Sequence, residues 1–455
     1  MKKKIAVLVP DGVGIKNYLY TRVFKDVDAE LTLYHNFDDE TLDEIKKQCD
    51  FHQAIRLPDY HEGVREKFLR ELIHLARLKY YARSLKNSTI LFNWKRKHKS
   101  YKLKSFYSAV ELAALAVTSY KTILKLERKY RKSLKRNPFF SEVKDLLKQH
   151  SPDVLFCTHQ RAVNAPAVFQ AAGALDIETA TVIYSWDNLP KARLALRADK
   201  YLVWSDYMKE ELRQLYPELK PSQIHVTGTP QFEFYSEEKF RLSKETFYNR
   251  YGLDLSKRYI CFSGDDVTTS PYDPMYLDDL AGAIKDAGMD TEIGIIFRRC
   301  PVDISGRYEE VLKKYPELIV EIEPLWRYNK NRWTAVYPTV EDVELLVNLA
   351  GHTELVVNVG STMAFDFGMF GKPCVFINYD QTDDSHWNVE TIYNFQHFRS
   401  MPNSESVYWL NDSNEIAEVL RQALSETKNR VLPWFERVVE NPNTASEKIY
   451  KVLTQ

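Results

Sequence analysis

The chain has 455 residues, with 63 Lys and Arg balanced by 63 Asp and Glu, and its 44% hydrophobic content suits a globular protein of two or three domains. No run approaches the roughly 18 apolar residues of a membrane span, and the first apolar run, residues 5–9, is too short for an export signal. The five scattered cysteines lack a Cys-x-x-Cys pair, which favours reduced thiols in a cytosolic protein over disulfides or a zinc site.

Predicted strands and helices alternate along most of the chain. In the first half we expect strands at 4–9, 30–34, 152–157, 179–184, 200–204 and 224–230, and helices at 17–25, 39–49, 141–150, 165–172 and 206–216. In the second half we expect strands at 258–263, 291–298, 318–323, 355–359 and 374–378, and helices at 274–287, 307–315, 340–349, 414–425 and 445–453. This order predicts an α/β protein with two Rossmann-like domains that face a cleft.

The predicted domains are 1–235 and 236–455, joined by a hinge near 229–250, with the final helix packing back on the first domain. The first domain contains a basic helical insertion at 62–136. Residues 65–136 hold 21 Lys and Arg against 4 Glu and no Asp, whereas the rest of the chain holds 42 Lys and Arg against 59 acids. The insertion is therefore a basic module inside an acidic protein.

Residues 354–373 form the most informative segment. The run 355–359 predicts a buried strand, Gly360 a turn, and Ser361 and Thr362 the N-cap of a helix that runs to Phe370. Free N–H groups at such a helix start suit phosphate, and Asp366 one turn on is placed for a ribose or sugar hydroxyl. Strand–Gly–Ser–helix junctions also occur in α/β proteins without a phosphate site. The phosphate interpretation of this segment therefore depends on its place in a longer pattern of motifs along the chain.

That longer pattern resembles the GT-B glycosyltransferases, particularly bacterial enzymes that build surface polysaccharides, and more distantly the glycerophosphotransferases of teichoic acid synthesis. The matching stretches, in order, are 152–159, 184–188 with 198–205, 226–230 and 357–373. The resemblance implies a GT-B-like fold and transfer of a sugar from a nucleotide-activated donor to a glycan acceptor, expected to be lipid-linked. It implies no bound metal and no other cofactor. The donor is expected on the second half and the acceptor on the first.

One stretch departs from the family pattern. Many relatives carry Arg-x-His-Pro after the second strand of the donor domain, whereas this chain reads Ile296-Phe-Arg-Arg-Cys-Pro301. Cys300 stands where His is usual, so the class of donor is left open. Histidine spacing typical of metal sites is also missing, and we predict no metal ligands.

For the departing phosphate we predict contacts from Gly360, Ser361 and Thr362, with Arg298 or Arg299 adding positive charge. The arginines could equally form surface charge pairs. Asp265, in the loop after the first strand of the second half, is a further donor-side candidate, with a polar turn as the alternative. Asp383, Asp384, His386 and Trp387 are expected to contact the sugar.

Glycosyl transfer also needs a base for the acceptor hydroxyl. Asp11 and His159 each follow a predicted strand directly, which is where open α/β sheets place ligand chemistry. A turn-forming Asp and a structural His are the alternatives. We assign Gly12, Gly14, Asp187 and Asn188 to acceptor binding, although the last two residues could simply cap the next segment.

The basic region 65–136 allows three interpretations. Beside Phe92 and Trp94, the run 95–104 could lie on an anionic membrane and bring the enzyme to its lipid-linked acceptor. It could bind nucleic acid, which we do not expect. It could also be a solvated helical face. The expected location is cytoplasmic, at the inner face of the membrane if the region binds lipid.

Two enzymatic alternatives share the architecture. A nucleotide-sugar 2-epimerase needs clustered acids and a His in the cleft, a constellation that the sequence does not display. A glycerophosphotransferase would transfer a glycerol-phosphate unit in place of a sugar. The non-enzymatic alternative is a membrane- or nucleic-acid-binding scaffold built on a degenerate version of this fold.

Overall fold

The computed structural model describes residues 2–94, 100–328, 336–383, 387–425 and 427–455. The strands are β1 (Lys3–Val9), β2 (Ala29–His35), β3 (Gln53–Arg56), β4 (Val154–Cys157), β5 (Glu178–Val182), β6 (Lys200–Val203), β7 (Ile224–Val226), β8 (Arg258–Ser263), β9 (Ile293–Arg298), β10 (Ile319–Glu321), β11 (Trp326–Arg327), β12 (Tyr337–Pro338), β13 (Val356–Asn358), β14 (Cys374–Ile377) and β15 (Tyr408–Leu410). The α-helices are α1 (Asp39–Lys46), α2 (Val64–Ser84), α3 (Tyr101–Leu115), α4 (Tyr120–Leu134), α5 (Pro138–His150), α6 (Ala165–Gly173), α7 (Asp206–Leu215), α8 (Lys244–Tyr251), α9 (Asp273–Asp286), α10 (Glu309–Lys314), α11 (Val340–His352), α12 (Met363–Gly368), α13 (Val389–Tyr393), α14 (Ile416–Leu424), α15 (Leu432–Val438) and α16 (Ala445–Thr454).

Seven strands of the first half form one parallel sheet in the order β3-β2-β1-β4-β5-β6-β7. The central strands are buried along nearly their whole length, as expected for a parallel sheet covered on both faces. Leu8 of β1 is in register with Cys157 of β4, so these two neighbouring strands end at the same level. The side chains that follow them are therefore brought together.

Six strands of the second half form a second parallel sheet in the order β10-β9-β8-β13-β14-β15. A two-stranded antiparallel ribbon of β11 and β12 lies beside it. The first sheet reverses its strand order between β1 and β4 and the second between β8 and β13. Open α/β sheets bind ligands at such reversals, outside the carboxyl ends of the strands.

Several local predictions differ from the structure. Instead of a helix at 17–25, the chain forms a π-helical turn (Ile15–Leu19) and a 3-10 turn (Arg22–Phe24). Four of the five residues in the π-helical turn are buried, so packing on several sides replaces the one-sided contact of an amphipathic helix. The short elements β3, α8, β15 and α15 were not predicted. The two strands have four and three residues and the two helices eight and seven, which is too short for a clear periodicity.

The basic insertion folds as α2, α3 and α4, and buried charges fix it to the first domain. The guanidinium of Arg77 donates to Glu127 of α4 and to the Leu215 carbonyl at the end of α7. Arg197, from the first domain, also donates to Glu127 at 2.6 Å. Breaking such a buried pair leaves an uncompensated charge, so the insertion is an integral part of the domain.

Two further connections join the halves. In the insertion, the Asn87 amide donates to the Asn394 carbonyl (3.0 Å) and to Gln396 (3.1 Å) of the second half. At the other end of the chain, α16 returns to the first sheet, where Lys200 donates to the Val452 carbonyl (2.9 Å). Within the described ranges, no helix is both long and apolar enough to cross a membrane.

Candidate active site

The loops that follow the carboxyl ends of both sheets face one cleft. The loop after β1 carries Asp11, and the loop after β4 carries His159. From the second sheet, the loop after β8 carries Asp265, and the turn after β13 carries Gly360 and Ser361. Polar groups from two sheets therefore converge between the domains, which is a common position for small-molecule sites.

Asp11 and His159 form a direct pair. Asp11 Oδ2 lies 2.7 Å from His159 Nδ1, and the two side chains are only 15% and 14% exposed. An ionised carboxylate only accepts hydrogen bonds, so Nδ1 donates and Nε2 is the ring nitrogen left to accept a proton. The amide of Val13 donates to the other oxygen of Asp11 at 3.2 Å and fixes its orientation. This arrangement can act as a general base.

The pair borders a cavity of about 810 Å³ at the domain interface. Its walls are largely apolar and come from both halves, and they include Val13, Ala162, Val163, Val302, Trp326 and Val336. Polar lining groups besides the pair come from Asn36, Asp59, Tyr60, His61, Arg161 and Asn164. The base therefore faces a space large enough for a sugar-sized molecule with an apolar portion.

Gly12 and Gly14 have packing roles, and Gly12 also lines the cavity at the Asp11–His159 pair, so ligand contact by these glycines stays a prediction. A Cβ atom on Gly12 would lie 2.2 Å from the Val336 carbonyl oxygen, and one on Gly14 would lie 2.1 Å from Thr158 Oγ1. Gly12 thus lets the β1 loop approach the backbone of the second domain. Gly14 permits close contact with Thr158, which directly follows β4.

The predicted phosphate turn exists, with a shorter helix than expected. Gly360 has φ +68°, which favours glycine, and the Ser361 amide donates to Asn358 Oδ1 at 2.7 Å. The following helix, α12, has six residues and ends at Gly368, not at Phe370. Thr362 is exposed, has helical backbone angles and caps no amide, so its hydroxyl is open to a ligand.

This turn borders a second cavity, of about 480 Å³, between the domains. Trp186, Asp187 and Lys191 line it from the first sheet, and Asp265, Asp266, Gly360, Ser361, Thr362, His397 and Phe398 from the second half. Residues Thr89, Ile90 and Phe92 of the insertion close one side. The turn and the acids of both domains thus share one space.

Asp187 and Asn188 lie where the first domain meets this cavity. Lys191 donates to Asp187, and although burial acts to raise it, the pKa of the Asp187 carboxyl is lowered by the Lys191 ammonium. Asn188 is 5% exposed and bonds to Gln160 and Asp187, so its side chain is occupied within the protein. Only Asp187 of the predicted pair lines a cavity.

Asp265 is the titratable group of the second-domain wall. Burial raises the pKa of its carboxyl to about 7, with the nearby Asp273 and Asp266 adding to the shift. The Asp273 carboxylate accepts the Asp265 amide at 2.5 Å, and Arg307 donates to the Asp265 carbonyl at 2.7 Å. A rigid backbone therefore presents a carboxyl that exchanges protons near neutral pH.

The two predicted arginines differ in environment. Arg298 is 6% exposed and donates through Nη2 to both oxygens of Asp342, while its Nη1 is buried with no partner among the described residues. Arg299 instead forms surface pairs with Glu323 (2.9 Å) and Glu321 (3.8 Å). Neither is among the residues that line the two cavities. Arg299 is therefore corrected to a surface charge pair, because its partners on β10 and after it hold the guanidinium outside the cleft.

Asp366 also departs from its predicted role. It is largely buried and accepts a hydrogen bond from Tyr235, and burial raises the pKa of its carboxyl against the attraction of Lys16. It therefore serves as an internal partner rather than a free sugar-binding group in this conformation.

Lys16 was missed by sequence reasoning. Burial lowers the pKa of its ammonium, although Asp366 and Asp342 attract it, and no carboxylate of the described chain lies within 4.0 Å of it. It reaches from the first domain towards Arg298 and Asp366 of the second. The only available signal was its position seven residues after β1, which does not specify a contact 350 residues away.

Aromatic residues complete the cleft. The ring of His397 packs edge-on against Trp186, with 4.6 Å between the ring centroids. Burial lowers the pKa of His397 to about 4. Trp387 donates to the Thr269 carbonyl at 2.8 Å. Asp384 and His386, and residues 95–99 of the basic run, lie outside the described residues. Among the described residues no group of three or more potential metal ligands is present.

No family model matches the sequence, and no curated protein matches it. Solved structures match it in fold. UDP-GlcNAc 2-epimerase from Methanocaldococcus jannaschii gives a TM-score of 0.54 at 13% identity over 99% of each chain. The enzyme from Neisseria meningitidis bound to UDP-GlcNAc gives 0.51 at 11% identity, also over 99% of each chain. UDP-N-acetylglucosamine 2-epimerase from Rickettsia bellii gives 0.52 at 10% identity, over 100% of this chain and 96% of that chain.

The chain has a GT-B-like fold. The predicted fold class is thereby confirmed, including the two Rossmann-like domains, the helical insertion and the C-terminal helix. At these identities the likeness concerns the fold and not the reaction. The particular resemblance to glycosyltransferases stays a prediction.

Proposed function

We propose that the protein is an enzyme that binds a nucleotide-activated sugar between its domains and epimerises that sugar. The observation that carries the proposal is the Asp11–His159 pair, which supplies an oriented acid–base group on the wall of the cleft. The full-length likeness to UDP-GlcNAc 2-epimerases adds support at the level of fold. The sequence does not display a cluster of acids with a His, but folding brings Asp11 and His159 into one pair.

The phosphates are assigned to the cavity of the Gly360 turn. Ser361 and Thr362 offer hydroxyls and Thr362 an amide to this cavity. Lys16 and Arg298 do not line the cavity, and they contribute positive charge from the region of Asp366 at longer range. Hydrogen bonds from the turn, together with this positive field, hold a diphosphate and stabilise it if it departs during the reaction.

Epimerisation removes a proton from one face of the ring carbon next to the anomeric carbon, and the C–H electron pair forms a double bond as the nucleoside diphosphate departs. A proton then returns to the opposite face as the diphosphate adds back to the anomeric carbon. His159, oriented by Asp11, is assigned to the first-domain side. Asp265, whose pKa is raised to about 7, is assigned to the second-domain side, because it can hold or release a proton near neutral pH. His159 borders one cavity and Asp265 the other, so this assignment requires the sugar to lie between the two cavities.

Glycosyl transfer is the second candidate, favoured by the separate 810 Å³ cavity at the Asp11–His159 pair. A transferase needs room for an acceptor beside the donor, whereas an epimerase needs room for one substrate. The largely apolar walls would suit a lipid-linked acceptor. In this alternative His159 deprotonates the acceptor hydroxyl.

The first experiment is a thermal-shift and calorimetric screen against UDP, GDP, CMP, CDP and dTDP. Saturable stabilisation by one nucleotide, weakened in a Ser361→Ala/Thr362→Ala variant but not in Ser141→Ala, is expected. Ser141 is an exposed serine of α5 and serves as the matched control. Lack of a response to any nucleotide by folded protein would overturn the nucleotide-sugar proposal and favour the scaffold alternative.

The second experiment separates the two reactions. The nucleotide sugar of the base found in the screen is incubated with the protein in D₂O, without acceptor, and followed by proton NMR. An epimerase incorporates deuterium into the sugar ring and forms the epimer. A transferase leaves the ring protons unexchanged with or without an acceptor and forms a glycoside only when an acceptor is added. An unchanged ring proton would therefore reject epimerisation.

A further inference from the structure

One helix of the insertion, α3, exposes several large apolar residues, whereas the other exposed apolar residues are scattered over the described surface. Tyr101, Leu112 and Leu115 of α3 are 86%, 71% and 67% exposed. Single exposed apolar residues are common, but a cluster on one element marks an interaction site.

The helix has two apolar faces on opposite sides. Val110 and Ala114 are buried and pack towards the protein core. Tyr101, Ser108, Leu112 and Leu115 follow the spacing i, i+7, i+11 and i+14, which places them on one outward stripe. The inner face satisfies packing in the fold, so the outer stripe has no structural requirement for its leucines.

Cations flank the stripe on both sides. At 100° per residue, Lys102 lies at one edge and Lys104 at the other, and both side chains are exposed. Like α3, helix α4 packs against α2, and it exposes further cations (Lys121, Lys125, Arg128, Lys129 and Lys132). The one acid of α3, Glu111, is exposed and accepts a hydrogen bond from Trp94 Nε1 at 2.8 Å. With two lysines against one acid, α3 carries a net positive charge.

We propose that the outer face of α3 docks on the surface of an anionic lipid bilayer. Tyr101, Leu112 and Leu115 enter the headgroup boundary, while Lys102 and Lys104 extend sideways to the phosphates. At 15 residues the helix is about 22 Å long, which suits a helix lying in the plane of the interface. None of these α3 residues lines either cavity, so the surface is separate from the nucleotide cleft.

The positive charge of the α3 face favours an anionic bilayer over other binding partners. A second copy of the chain on the same face would place lysines against lysines, which is unfavourable. Nucleic acid is held through its phosphates by cations, and the leucines at the centre of the stripe offer it nothing. An anionic bilayer provides an apolar interior for the stripe and negative headgroups for its flanks.

Sedimentation with vesicles tests the proposal on the full chain. We expect binding to phosphatidylcholine vesicles that contain phosphatidylglycerol and little binding to phosphatidylcholine alone, with a decrease at high salt. Leu112→Ser/Leu115→Ser and Lys102→Glu/Lys104→Glu should each weaken binding by tenfold or more. Leu255→Ser, at a leucine of the second domain that is 48% exposed, and Lys313→Glu, at a lysine whose side chain is 78% exposed, are the matched controls.

Three outcomes would overturn membrane docking by α3. Wild-type binding by the Leu112→Ser/Leu115→Ser variant, or no binding to anionic vesicles at low salt, would overturn it. Binding to a DNA or RNA duplex without binding to vesicles would also overturn it. A fluorophore at Leu112→Cys should shift to shorter wavelength on anionic vesicles, and one at Leu255→Cys should not. Since the substituted residues are exposed, circular dichroism and Tm should match the wild type.

Discussion

The Nδ1 atom of His159 lies 2.7 Å from Oδ2 of Asp11, although 148 positions separate the residues in the chain. The pairing of β1 with β4 accounts for this proximity, because Leu8 and Cys157 are in register and each residue follows shortly after its strand. The carboxylate fixes the ring tautomer, so Nε2 is ready to accept a proton. Neither residue alone would define a site.

Asp11→Asn should reduce turnover by about 10²–10⁴-fold and leave nucleotide affinity unchanged. The amide no longer favours the Nδ1–H tautomer, but Asp11 does not line the cavity of the Gly360 turn. Steady-state kinetics and calorimetry measure the two effects separately. Asp43→Asn, at a carboxylate that is 72% exposed, should change neither. Full turnover by Asp11→Asn would remove the pair from the mechanism.

Lys16→Met should weaken nucleotide binding by about tenfold or more, because the phosphates lose a cation. The same variant should have a higher Tm without nucleotide. Burial lowers the pKa of Lys16, so its charged form costs stability at neutral pH, and that cost vanishes only above the ordinary pKa of 10.5. Lys25→Met, at an exposed lysine, is the control. A lower Tm together with unchanged affinity would show that Lys16 is structural.

Glu211→Gln should stabilise the protein increasingly as pH rises. Glu211 is 7% exposed, and burial, with Asp187 nearby, raises the pKa of its carboxyl from 4.5 to about 8. Its contribution to stability is complete below pH 4.5 and is lost as pH rises towards 8, because the unfolded chain ionises first. At about pH 9 the Tm of the variant should exceed that of the wild type by about 2–4 °C, and at about pH 4 the two should agree. Glu210→Gln, on a side chain that is 65% exposed, should show no such trend.

Gly12→Ala should lower turnover by about tenfold or more and the free energy of unfolding by about 1–3 kcal/mol. The added methyl group would meet the Val336 carbonyl at 2.2 Å, and because that atom belongs to the backbone, a loop must move. Kinetics and thermal denaturation test this. Gly173→Ala, where nothing lies within 4 Å, should keep full activity. Wild-type behaviour of Gly12→Ala would mean that the domains do not approach each other this closely in solution.

The sequence predicted the parallel sheets and the positions that follow their strands, because buried strands and Gly turns are local signals. It therefore located Asp11, His159, Asp265 and the Gly360 turn. It could not identify the groups that these side chains contact in the folded protein. Whether Arg298 faces phosphate or a carboxylate depends on Asp342, which is 44 residues away on another element.

Length of elements was also beyond local signals. The apolar pattern continues past Gly368, yet the chain leaves the helix there, and Gly371 adopts φ +69°.

The exposed stripe on α3 could not be predicted from the sequence either, since an apolar residue at helical spacing is usually assigned to a core. Only the packing of Val110 and Ala114 on the opposite face identifies the outer residues as exposed.

The hydrogen bonds of Asn87 to the second domain affect how a ligand enters and leaves the cleft between the domains. A cleft between two domains joined only by a hinge opens freely, but here Asn87 and Thr89 donate to the Asn394 carbonyl, and Arg399 donates to the Leu85 carbonyl at 2.8 Å. Each bond is worth about 0.5–1.5 kcal/mol, so opening past the insertion requires a few kcal/mol. We therefore expect these bonds between the insertion and the second domain to lengthen the residence time of a molecule in the cavity that Thr89 borders.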